Sequence, residues 1–78
     1  MIMAEILIGE QADFICNEIL SARSDENDKY NLHVGAKGYW KNIGVDGEPL
    51  WTAFDNTSGD CWVEDFRTEL EAISWLKN

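Results

Sequence analysis

The 78-residue sequence has few of the residues on which enzymes and metalloproteins depend. His33 is its one histidine, and Cys16 and Cys61 are its two cysteines. A zinc site normally needs three or four clustered ligands, so no metal site is expected. The sequence also has no P-loop, dinucleotide fingerprint or nucleophile elbow. We therefore predict a protein that is not an enzyme, with no catalytic residues and no cofactor.

Cysteine and proline are scarce as well. Two isolated cysteines are too few for the disulfide framework of a small secreted domain, and they predict free thiols. The apolar run from Met1 to Ile8 contains Glu5 and is not typical of a signal peptide or a bilayer span. These features predict a cytoplasmic protein with no membrane partner. With one proline and no visible linker or repeat, residues 1–78 are expected to form a single domain.

Basic residues are outnumbered by acidic ones. Six Lys and Arg stand against fifteen Asp and Glu, which gives a formal net charge of -9. This charge repels phosphate backbones, so direct nucleic-acid binding is not expected, whereas a basic groove on a protein would attract it. An acidity that only keeps the protein soluble is the alternative. The candidate partner-binding residues are the acidic side chains on predicted turns: Asp25, Glu26, Asp28, Asp46, Glu48 and Asp60.

Two segments have the spacing of amphipathic helices. Apolar residues from Ala12 to Ala22 recur at helical spacing and predict a helix over residues 10–23. A capping box that begins at Thr68 predicts a second helix over residues 68–77. The hydrophobic content of 45% favours a folded core around them.

Between the two helices the period of the sequence changes to two, which predicts strands. Residues 2–8 are either a further short strand or the lead-in to the first helix, and Gly35 and Gly38 are predicted to bracket a turn. The whole pattern predicts an α+β two-layer sandwich: an N-terminal helix, an antiparallel meander of three to four strands and a C-terminal helix, with both helices on one face. The predicted strands of the meander cover residues 30–34, 39–43, 50–54 and 61–66.

Three tryptophans recur at intervals of eleven residues: Trp40, Trp51 and Trp62. Hairpins centred on the two intervening turns pair Trp40 with Trp51 and Trp51 with Trp62, which places all three on one face of the sheet. This face is either core beneath the helices or an exposed aromatic face. Two helices on one face leave the opposite, largely apolar face bare. A homodimeric accessory protein that uses this bare face is therefore an alternative function, and a sugar-stacking module is a third.

Residues 51–66 read WTAFDNTSGDCWVEDF, and residues 68–76 read TELEAISWL. This ending resembles that of small orphan proteins of phages and mobile elements, and the short acidic chain resembles the anti-CRISPR class. Members of that class bind nuclease complexes, often mimic nucleic acid, and share no common fold. The resemblance implies an inhibitor or regulator that occupies a basic surface of a bacterial nucleic-acid-handling complex, in the cytoplasm of the host.

Overall fold

The computed structural model describes residues 5–23 and 33–77. Four strands form one sheet in the order β1-β2-β3-β4, and β2, β3 and β4 pair antiparallel. The predicted α+β arrangement, with an N-terminal helix, a meander and a C-terminal helix, is confirmed. The elements are β1 (Ile6–Ile8), α1 (Glu10–Arg23), β2 (Lys37–Ile43), β3 (Pro49–Asp55), β4 (Trp62–Phe66) and α2 (Glu69–Lys77). Neither helix in this part of the chain is long and apolar enough to cross a membrane.

The first strand makes the sheet mixed, because β1 pairs with β2 in parallel. Parallel neighbours need a crossover connection, and α1 provides it. Gly38 lies in β2 at the point where β1 and α1 meet. A Cβ atom at this position would lie 2.5 Å from the carbonyl oxygen of Leu7 and 3.0 Å from the Cβ of Ala12. The prediction that Gly38 brackets a turn is therefore wrong, and close packing accounts for the glycine.

A turn precedes β2 where the sequence predicts the end of a strand. Residues 33–35 form this turn, and His33 has a positive φ of 54°. The side-chain amide of Asn56 donates to the carbonyl of His33 at 3.2 Å, and the N–H of Gly35 donates to the carbonyl of Asn56 at 2.9 Å. These bonds give the backbone groups of the turn partners in Asn56, with no strand pairing, so the strand prediction is wrong for Val34. Residues 30–32 lie outside the described residues.

The two helices cover opposite faces of the sheet. α1 packs on the face that carries Phe54, and α2 packs on the face that carries Tyr39 and Ala53. Adjacent residues of a strand point to opposite faces, so Ala53 and Phe54 place their helices on opposite sides. The expected two-layer arrangement therefore needs correction to three layers: helix, sheet and helix. The reason is that both faces carry apolar side chains, and each of them is buried by a helix of its own.

The register of the β2–β3 hairpin separates the tryptophans. Trp40 pairs with Thr52, and Trp51 pairs with Lys41, one residue away from the predicted pairing of Trp40 with Trp51. A shift of one residue moves a side chain to the other face. Trp40 accordingly packs on the α1 side and Trp51 on the α2 side. The prediction of one shared face is wrong for Trp40.

The five-residue loop 44–48 causes this register. Ile43 and Pro49 are the last paired residues, so the hairpin is centred on Asp46 and not between two residues. Gly47 has a φ of 81°, and the N–H of Glu48 donates to Oδ1 of Asp46 at 3.1 Å, which closes the loop. An odd loop length changes the register by one residue relative to the predicted turn.

Trp51 and Trp62 lie on the same face, as the sequence predicts. Trp51 pairs with Phe66, and Trp62 pairs with Asp55. Positions 51 and 55 of β3 are an even number of residues apart, so they and their partners share the α2 face. The predicted pairing of Trp51 with Trp62 is wrong, because Trp62 lies four residues from Phe66, the residue of β4 that faces Trp51.

Candidate functional site

The β2–β3 loop carries two of the predicted binding residues, Asp46 and Glu48, and both are exposed. Nη1 of Arg67 lies 3.9 Å from Oδ2 of Asp46. This contact is long and solvent-exposed, so it contributes little stability. Its importance is positional, since it shows that the hairpin loop adjoins the connection between β4 and α2.

The first turn of α2 follows directly and adds two exposed carboxylates. Thr68 is the N-cap residue, as predicted: the N–H of Glu71 donates to its Oγ1 at 3.2 Å. The Thr68 hydroxyl in turn donates to Oε1 of Glu71 at 3.1 Å. The hydroxyl of Tyr39 donates to Oε2 of Glu69 at 2.7 Å. This bond, together with burial, raises the pKa of Tyr39. We call Asp46, Glu48, Glu69 and Glu71 the acidic end of the molecule.

The acidic end belongs to a part of the chain with little compensating charge. Arg67 is the one basic residue between positions 46 and 71. In the fold, Arg67 and the exposed Lys41, which pairs with Trp51 near the hairpin end of the sheet, offset part of this charge. The excess of carboxylates still gives a negative potential, which attracts and steers a basic partner. The acidic residues of this segment are Asp46, Glu48, Asp55, Asp60, Glu64, Asp65, Glu69 and Glu71.

Three of the predicted binding residues lie within the described residues, and these three do not form one surface. Asp60 is exposed, but it lies in the loop between β3 and β4. The seven residues of β3 separate this loop from the β2–β3 loop by roughly 20 Å. Of the predicted set, the structure brings Asp46 and Glu48 together and leaves Asp60 at the opposite end of the sheet. Asp25, Glu26 and Asp28 lie outside the described residues.

Sequence reasoning missed Glu69 and Glu71 as members of a candidate surface. A signal for them was present, because the capping box that begins at Thr68 places acidic residues in the first turn of a helix. The carboxylates there also interact favourably with the helix dipole. What the sequence did not show is that the β2–β3 loop contacts Arg67, just before this turn.

Side chains with catalytic chemistry are placed elsewhere. Nε2 of His33 lies 2.8 Å from Oε1 of Glu18, in an exposed pair that joins the turn before β2 to α1. Cys16 is buried in the core, and burial, followed by the neighbouring Cys61 thiol and the charge of Asp13, raises its pKa to about 12. A thiol of that pKa is not nucleophilic at neutral pH. No group of three or more metal-ligating side chains occurs within residues 5–23 and 33–77.

The chain was compared with protein-family models, with curated proteins and with solved structures, and none of them matches it. Its function is therefore argued from its own side chains and their arrangement.

Proposed function

We propose that this protein is a non-enzymatic acidic binding protein that inhibits or regulates a bacterial nucleic-acid-handling complex by occupying a basic surface, in the manner of an anti-CRISPR protein or a nucleic-acid mimic. The observation that carries the proposal is the acidic end, where the exposed carboxylates of the hairpin loop and of the first turn of α2 are linked through Arg67, which contacts Asp46 and immediately precedes that turn. The protein acts in the cytoplasm of the host bacterium. The basic surface it occupies is one that otherwise binds phosphates.

Charge explains the choice of partner. A net charge of -9 on 78 residues repels nucleic acid and attracts a groove lined with lysine and arginine. Such a groove already has a potential that concentrates anions, so a small acidic protein reaches it quickly at low salt. Carboxylates that replace phosphates in this groove then exclude the nucleic acid. Inhibition by this route requires no catalytic group.

The two alternative functions have less support. A homodimer through a bare sheet face requires one face without a helix, whereas α1 and α2 pack on opposite faces. A stacking platform for sugars requires the three tryptophans on one side, whereas Trp40 lies on the α1 side.

The proposal is tested by capture from a bacterial lysate on the immobilised protein at low salt, with duplex DNA added as a competitor. We expect nucleic-acid-binding proteins to be captured, to be released by DNA, and to be lost as salt shortens the Debye length from ~30 Å at about 0.01 M to ~3 Å at about 1 M. Retention of the same proteins in excess DNA and high salt would contradict the proposal, because a shared basic surface would not then be the contact.

A matched pair of variants separates the acidic end from net charge alone. Asp46→Asn with Glu48→Gln removes two charges from the hairpin loop, and the amide oxygen introduced at position 46 can still accept from the N–H of Glu48. Glu5→Gln with Glu10→Gln removes the same charge from exposed positions at β1 and α1. We expect weaker capture by the hairpin variant only. If both variants capture the partner equally weakly, the attraction depends on total charge, and a defined site at the acidic end is contradicted.

A further inference from the structure

A groove of about 390 Å³ lies between β4 and the last turn of α2. Its lining combines two tryptophans with two carboxylates: Asp55, Trp62, Val63, Glu64 and Trp75. The volume falls within the range of small-ligand sites. The groove lies at the opposite end of the sheet from the hairpin loop, because Asp55, the last residue of β3, pairs with Trp62, the first residue of β4.

The backbone presents the polar and aromatic groups of the groove together. Trp62 and Glu64 are two residues apart on β4, so both lie on the α2 face, and Asp55 is the cross-strand partner of Trp62. Trp75 reaches the groove from α2 and packs on Phe66, with ring centroids 5.8 Å apart. Trp62 is 63% exposed, so its indole is accessible to a ligand in the groove.

The aromatic and acidic side chains of the lining favour a cation. An indole face attracts a positive charge through its quadrupole. Glu64 is exposed, and both hydrogen bonds that Asp55 accepts from Thr57 use Oδ1. Lys37 pairs with Asp55 across β2 and β3, but its ammonium donates to the carbonyl of Leu76 and does not line the groove.

We propose that this groove binds the guanidinium group of an arginine side chain presented by a partner protein. A guanidinium is planar, stacks on indole and forms paired hydrogen bonds to a carboxylate, so it uses both kinds of group in the lining. A lysine ammonium is a compact charge that stacks less well. A trimethylated ammonium is recognised by a cage of aromatic side chains, and it has no N–H group to donate a hydrogen bond to Asp55 or Glu64.

The test uses the whole protein, labelled with nitrogen-15, and the short capped peptide acetyl-Gly-Arg-Gly-amide as the probe. The indole N–H signals of Trp62 and Trp75 report on the groove, and that of Trp40, on the α1 side of the sheet, is the internal reference. We expect saturable shifts at Trp62 and Trp75 and none at Trp40. The matched peptide with citrulline, which is nearly isosteric but uncharged, should leave all three signals in place.

Two variants examine the lining residues. Glu64→Gln should weaken binding of the arginine peptide about two- to five-fold, the range of an exposed ion pair. Trp62→Leu should weaken it by about five-fold or more, through loss of the stacking face. Both residues are exposed, so the remaining amide spectrum should stay that of the folded protein. Glu48→Gln, which removes the same charge from the hairpin loop, should leave the affinity unchanged.

The outcomes distinguish specific binding from general attraction. Equal shifts with the citrulline peptide, or equal weakening by Glu64→Gln and Glu48→Gln, would overturn the proposal. Lysine or trimethyllysine peptides that bind as tightly as the arginine peptide would overturn the assignment to guanidinium. The inference is independent of the proposed function: the peptide titration needs no bacterial partner, and the hairpin variant that tests the acidic end leaves the groove intact.

Discussion

Gly38 is the residue where the packing of the fold leaves least room. A methyl group there would meet the backbone of β1 and a side chain of α1. Since a backbone oxygen 2.5 Å away cannot rotate aside, the crossover unit would have to separate to accept it. The position depends on the absence of a side chain and not on an unusual φ, because Gly38 lies within a regular strand.

We predict that Gly38→Ala lowers the free energy of unfolding by about 1–3 kcal/mol, the usual cost of overpacking. Urea denaturation followed by tryptophan fluorescence measures it. Gly47→Ala is the comparison, because open space surrounds position 47 and the cost there is about 1–2 kcal/mol from its positive φ alone. A Gly38→Ala protein as stable as wild type would show that β1 and α1 do not pack as described.

Cys16 provides a second residue-scale prediction, on pH. Its pKa is raised from 9.0 to about 12, mainly by burial, so the folded state keeps a proton that the unfolded state loses. The protonated Cys16 thiol therefore makes its full contribution to the free energy of unfolding below about pH 9, and this contribution is lost as the pH rises toward about 12. Wild type should therefore lose stability more steeply over this range than Cys16→Ala. The free energy of unfolding is measured by urea denaturation at several alkaline pH values. If it falls equally with pH in wild type and in Cys16→Ala, the burial of the thiol is contradicted.

The elements differ in how strongly local sequence specifies them. The N-cap residue of α2 is Thr68, whose hydroxyl oxygen accepts from the N–H of Glu71 and whose hydroxyl donates to the Glu71 carboxylate. We predict that Thr68→Ala lowers the free energy of unfolding by about 1 kcal/mol, because one orphan N–H of the helix loses its acceptor. Ser74→Ala, at an exposed position inside α2, is the control and should change stability by less than about 0.5 kcal/mol. Equal effects in urea denaturation would mean that the cap does not stabilise α2.

Local signals predict both helices and three strands of this fold, to within two residues at each end. They fail where the structure depends on contacts between elements. The strand β1 has three residues, too few for a period to show, and its pairing with β2 follows from the path of α1. The register of the β2–β3 hairpin depends on the geometry of the loop around Gly47, so a one-residue difference moved Trp40 to the other face.

The candidate site was predictable in part for the same reason. Composition and turn residues indicate acidic binding residues, and two of them, Asp46 and Glu48, lie at the acidic end. Their link to the start of α2, through the contact of Asp46 with Arg67, depends on where the β4–α2 connection passes the hairpin loop, which no local pattern encodes. The groove likewise joins a strand to a helix, and its lining is set by how α2 packs on the sheet.

At the scale of the whole molecule, net charge opposes compactness. A folded chain with a charge of -9 has more self-repulsion than its unfolded form. We predict that Tm rises as salt increases from about 0.01 M to about 0.1 M, where the Debye length falls from ~30 Å to ~10 Å. The rise should be smaller for Asp46→Asn with Glu48→Gln, which has less repulsion to screen. A Tm that falls with salt in thermal scans would mean that attractive ion pairs outweigh the repulsion.

We propose that the acidic end makes the contact with a basic partner. The most direct measurement is the association rate constant of a captured partner with wild type, with the hairpin variant Asp46→Asn/Glu48→Gln and with the control variant Glu5→Gln/Glu10→Gln, each at low and high salt. We predict slower association for the hairpin variant at low salt, a rate close to wild type for the control, and convergence of all three at high salt. An association rate that is the same for the hairpin variant and wild type at low salt would contradict the claim.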